Sequence, residues 1–147
     1  YNVKWNLCLV VNDIKIKVKG YLRDIDEGTI TNIDTFGIKN KNKITYNEET
    51  VTNTILQEDN KLILIRENNE FKNILIFDLN KETISEYLLK ENDLTIELNI
   101  KTNLVEIEDN YIKVRYLVID SDNEYEYSIE MSDKYEYKNW NRTYHKM

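Results

Sequence analysis

The side chains best suited to grip a ligand are two arginines and three tyrosines. Arg66 closes the apolar run Leu62-Ile63-Leu64-Ile65, and Arg115 sits inside the alternating segment Ile112-Lys113-Val114-Arg115-Tyr116. If alternation turns either guanidinium toward the interior of a β-barrel, its planar fork would bond a carboxylate or phosphate bidentately. The plainer reading is a structural pair with an acid such as Glu48 or Glu97, or simple exposure. Tyr46, Tyr87 and Tyr116 would line such a pocket with apolar area and a hydroxyl that sets orientation. They would serve equally as filler, because a barrel of about eight strands is only just wide enough inside for side chains.

Other chemistries find less support. Glu106-Ile107-Glu108 and residues 124–130 place carboxylates two apart, hence on one face of a strand. Such acids can hold Mg²⁺ or Mn²⁺ through hard oxygen ligands, as in tunnel-shaped triphosphate hydrolases. That chemistry needs acids on the first strand, where this chain has Lys15, Lys17 and Lys19. Two-apart acids also arise whenever a strand has a solvated outer face. His145 is the sole histidine, two residues from the last position, with no partner for a zinc site or a catalytic triad. Cys8 is the sole cysteine and lies in Leu7-Cys8-Leu9-Val10-Val11, an apolar setting that disfavours a reactive thiolate. No glycine-rich loop suggests a phosphate or dinucleotide site. No metal or cofactor is expected, and the chain reads as a binder and not an enzyme.

The elements that must position these groups are strands. Ile14-Lys15-Ile16-Lys17-Val18-Lys19 alternates with period two, as do residues 94–101, 112–116 and 125–131. Such alternation does not place an apolar stripe on a helix. Turn signals built from Asn, Asp and Gly fall at 24–28, 40–42, 58–60, 68–70, 80, 91–93, 109–110 and 120–123. Leu62-Ile63-Leu64-Ile65 and Ile74-Leu75-Ile76-Phe77 are continuous apolar runs, read as strands for their length and β-branching. The count between breaks is roughly nine or ten strands, within a range of roughly eight to ten. Short hairpins in succession suit an up-and-down barrel, which closes on itself and leaves no edge.

Composition agrees. The chain of 147 residues is 41% hydrophobic and 32% charged, the range of a globular domain. It has 11 tyrosines, three glycines, no proline and no alanine. Asn is expected to stand where other chains use Gly, because it tolerates positive φ better than most residues. A net charge of −7 argues against nucleic acid or an anionic membrane as partner, since both are polyanions. No stretch approaches the ~20 apolar residues of a membrane helix. The run 7–11 is too short for the core of a secretion signal, so a cytoplasmic location is expected.

Several segments together resemble the YwiB-like family, a bacterial group of unknown function with a lipocalin-like (calycin) barrel. They are "KIKVKG" at 15–20, "ITYNEE" at 44–49, "KLILIREN" at 61–68, "ILIFDLN" at 74–80, "SEYLLKENDLTIELNIKT" at 85–102, "IKVRYLV" at 112–118 and "YSIEM" at 127–131. The order and spacing cover about four-fifths of the chain. The family has glycines after the arginine and before the long strand, where this chain has Glu67-Asn68 and Asn92-Asp93. The resemblance implies an antiparallel calycin-like barrel and implies no activity.

The expectation is therefore one all-β domain over 1–147. Its barrel core spans 14–132, and an aromatic tail at 133–147 carries Tyr135, Tyr137, Trp140 and Tyr144. A small, partly apolar ligand would sit inside. Should the barrel prove solid, its outer face or that tail would instead bind a protein.

Overall fold

Every alternating segment becomes a strand in the computed structural model, which describes residues 13–133. Ten strands follow one another: β1 Ile14–Asp24, β2 Ile30–Asn40, β3 Lys43–Glu48, β4 Val51–Glu58 and β5 Lys61–Glu67, then β6 Phe71–Asp78, β7 Glu82–Leu89, β8 Leu94–Glu108, β9 Tyr111–Val118 and β10 Asn123–Asp133. Each pairs antiparallel with the next, and β10 returns to pair with β1, with Val18 opposite Met131 and Leu22 opposite Tyr127. An even number of alternating strands is what permits antiparallel closure. The result is a closed all-β barrel, and the described residues contain no helix.

The two apolar runs are strands. In β5, Leu62 and Leu64 are buried inward while Ile63 and Ile65 pair with Ile76 and Ile74 on the half-buried outer wall. Apolar side chains on both faces erase the alternation there.

The turns partly depart from expectation. Lys41, Glu49, Asp59, Asn80, Asp93 and Asp122 adopt φ between 49° and 64°. Only Asn80 among them is Asn, so acids and a lysine mostly fill the left-handed positions. The turn Glu49-Thr50 between β3 and β4 carries no Gly, Asn or Asp and escapes the sequence signals altogether.

Gly20 marks a close approach of two strands in the barrel wall. A Cβ there would lie 1.9 Å from the Ser128 carbonyl oxygen on β10, so no other residue fits without moving that strand. A second irregularity lies where β6 and β7 part company beyond Ile74 and Glu86. The connecting residues dock instead on β8: Asn80 N–H donates to the Thr102 carbonyl at 2.8 Å, and Leu79 bridges Thr102. β8 answers with a register shift between Thr102 and Leu104.

The two ends of the barrel differ. At the end where β1 begins and β10 stops, Ile16, Ile44, Ile55, Leu62, Phe77 and Met131 fill the interior. At the other end the interior is open.

Candidate functional site

The open half of the barrel encloses a cavity of about 460 Å³. Its size lies within the range of small-molecule sites, roughly 300–1,000 Å³. Two contacts across the barrel form its floor. Tyr46 on β3 meets Tyr127 on β10 with hydroxyls 2.5 Å apart, and the rings of Phe77 on β6 and Tyr116 on β9 lie 4.9 Å apart. Leu64, Leu75, Ile100 and Ile33 supply apolar wall above and around that floor.

A polar row runs round the inner wall along the hydrogen-bonding direction. Register places Tyr46 opposite Asn53, Asn53 opposite Arg66, Arg66 opposite Asn73, and Asn73 opposite Tyr87. Asn53, 1% exposed, accepts from Arg66 Nε at 3.0 Å and donates to Glu48 Oε1 at 3.0 Å. The guanidinium is thus aimed by its Nε edge, while Nη1 and Nη2 make no hydrogen bond among the described residues; Nη2 stands 3.9 Å from Glu48 Oε1. A group held in this way is prepared to donate to a ligand acceptor without prior reorganisation.

Burial shapes the tyrosines. It drives the Tyr46, Tyr116 and Tyr127 hydroxyls well above the ordinary tyrosine range. Their hydroxyls therefore remain neutral donors and acceptors, not sources of a nucleophilic phenolate.

The expected site residues separate into three groups. Tyr46, Arg66 and Tyr116 all line the cavity. Tyr87 belongs to the same cross-strand row but stands at the lip, stacked on Phe71 at 5.3 Å, and contributes nothing to the cavity wall. Arg115 corrects the expectation of an inward guanidinium. It faces outward and bonds Glu126 through Nε at 3.2 Å and Nη2 at 2.6 Å, because Ile112, Val114 and Tyr116 occupy the inward phase of β9. Sequence reasoning missed Asn53, Asn73 and Tyr127, and cast Glu48 only as a partner for arginine.

The paired acids do not converge. Glu106 and Glu108 on β8 and Glu130 on β10 are exposed on the outer wall, and Glu124 and Glu126 share that outward phase. Among the described residues no group of three or more His, Cys, Asp or Glu is placed to hold a metal ion. Cys8, His145 and the aromatic residues of the tail lie outside the described residues. Among the described residues no helix is long and apolar enough to cross a membrane.

No family model matches the sequence, and a search of curated proteins finds no match either. Among solved structures the fold is similar to the crystal structure of the YwiB protein from Bacillus subtilis. The TM-score is 0.58 at 15% sequence identity, over 83% of this chain and 92% of that one, a likeness of fold alone.

Proposed function

We propose that this chain is a calycin-like carrier or sensor that holds a small, partly apolar ligand in the open half of its barrel. The observation that carries the reading is the half-filled interior. One end is closed by an apolar layer with a polar-rimmed cleft of about 320 Å³ outside it, while the other keeps about 460 Å³ above a tyrosine floor. A barrel of structural purpose alone gains stability by filling that space, since interiors otherwise pack to crystal-like density. Apolar wall would take the body of the ligand, and Arg66, aimed by Asn53, would donate to an acceptor at its polar end. The site reads as a binder and not a catalyst, because its buried hydroxyls stay neutral and its charged groups form no acid–base pair of the kind that moves protons. The absence of polyanionic partners belongs to the same proposal, on the −7 net charge.

The test is native mass spectrometry on protein purified gently from its own cells. We expect a mass above 17.7 kDa that returns to the bare chain on denaturation. Arg66→Gln is expected to lower the occupied fraction about tenfold, the worth of one good charge-assisted hydrogen bond. A bare mass in every preparation, together with no saturable binding of amphiphiles to the purified chain, would overturn the reading.

A further inference from the structure

We propose that the ligand's polar end is a zwitterion, a carboxylate beside an ammonium, carried on an apolar body. The inference rests on the binding reading above and sharpens it. Asn53 uses its oxygen on Arg66 Nε and its nitrogen on Glu48 Oε1, so it acts as a spacer between a fixed positive and a fixed negative group. The two charges stand 3.9 Å apart, beyond hydrogen-bond reach. Neither has collapsed onto the other. Arg66 Nη1 and Nη2 and Glu48 Oε2 make no hydrogen bond among the described residues, and both side chains line the cavity, 31% and 24% exposed. Such a spaced pair presents two complementary docking points side by side, one for an anion and one for a cation.

The charge around the cavity decides against a simple anion. Its lining carries Arg66 against Glu48 and Asp120, one positive group and two negative ones. The chain as a whole adds a field of the same sign, at −7. A carboxylate alone would gain Arg66 and meet two carboxylates, while an amine alone would gain the two acids but leave Arg66, beside Glu48, facing a like charge. A head bearing both satisfies Arg66 and Glu48 together, the two charges held side by side in the wall, where an unmatched charge is costly. Below the head, Leu64, Leu75 and Ile100 offer no polar partner, so the rest of the ligand is apolar. This is the chemistry of an apolar α-amino acid or a small conjugate of one.

The test holds the body constant and changes only the head. Titration calorimetry would compare 2-aminodecanoate, decanoate, decylamine and decanol on the purified chain. A ten-carbon body fits a cavity that admits about fifteen water-sized groups at ~30 Å³ each. We expect 2-aminodecanoate to bind at least about tenfold more tightly than any of the other three. Glu48→Gln should erase its advantage over decanoate, and Arg66→Gln its advantage over decylamine. Decanoate or decylamine binding as tightly as 2-aminodecanoate would overturn the zwitterion and leave the binding reading intact. Equal binding of decanol would do the same by showing that the head is not read. Binding by none of the four would overturn the zwitterion and count against the binding reading with it.

Discussion

Arg66 and Arg115 show how much a single residue's meaning depends on phase. In β9 the inward positions are Ile112, Val114 and Tyr116, so Arg115 shares the outer face with Lys113. There it joins Tyr21 and Glu126 in a clamp across β1, β10 and β9. Tyr21 Oη donates to Glu126 Oε2 at 2.6 Å and Arg115 Nη2 to Oε1 at 2.6 Å, with Glu126 only 4% exposed. The Tyr21 hydrogen bond, then that of Arg115, holds the Glu126 carboxyl below the usual carboxylate range, against the opposing effect of burial. A carboxyl depressed in the folded state contributes stability above its unfolded pKa of roughly 4.3 and loses it as pH falls through the folded value. Glu126→Gln should cost about 2 kcal/mol near neutrality, since it leaves Arg115 without its anion and disturbs the Tyr21 bond. Urea unfolding at a series of pH values checks this. The gap between the two proteins should narrow as pH falls below the unfolded value of roughly 4.3, and a gap independent of pH would refute the role of the charge.

At the scale of elements, the β1–β10 seam is where the barrel closes, and its strands are among the longest at 11 residues each. A closed barrel must bend and coil such strands, and a residue without a side chain lets two backbones approach at the bend. Gly20 holds that place, with the Ser128 carbonyl oxygen where its Cβ would be. Gly20→Ala should therefore destabilise the protein by at least about 2 kcal/mol through forced displacement of β10. Gly28→Ala is the companion variant, at a turn with open space but φ of 79°, and should cost only about 1 kcal/mol of backbone strain. Thermal unfolding of the pair measures the difference. Equal midpoints would show that the seam is not tight.

The whole molecule is a barrel closed by an apolar layer toward one end and hollow toward the other, and its alkaline behaviour should report that. Tyr46, Tyr116 and Tyr127 lie between the two halves, and burial raises all three hydroxyls. An unfolded tyrosine ionises near pH 10. Above that pH the unfolded chain releases protons that the folded chain keeps, so stability falls as pH rises. We expect the tyrosinate absorbance of three of the 11 tyrosines to appear only together with loss of the sheet signal in circular dichroism. Titration of all of them near pH 10 with the sheet intact would show that the floor admits water.

Strand identity was legible in the sequence because a half-buried strand writes its environment at every second residue. Ile14 to Lys19 and the segment 94–101 needed nothing more. Turns with Asn, Asp or Gly were equally plain, whereas Glu49 carries no such mark. The phase of Arg115 was legible too, because Ile112, Val114 and Tyr116 claim the interior positions of that segment. Arg66 was different. Leu62-Ile63-Leu64-Ile65 is apolar on both faces, so only the register of β4 with β5 and β6 turns its guanidinium inward. Asn53 was hidden by the chain's own abundance of asparagine and by the threonines either side of it. Alternation is a local property, and one strand can display it alone. The Glu48–Asn53–Arg66 row needs the register of three adjacent strands, β3 to β5. The Tyr46–Tyr127 contact across the barrel and the hollow above it join residues from strands far apart in the chain. They exist only once closure sets which residues face one another, and so tertiary structure alone decided them.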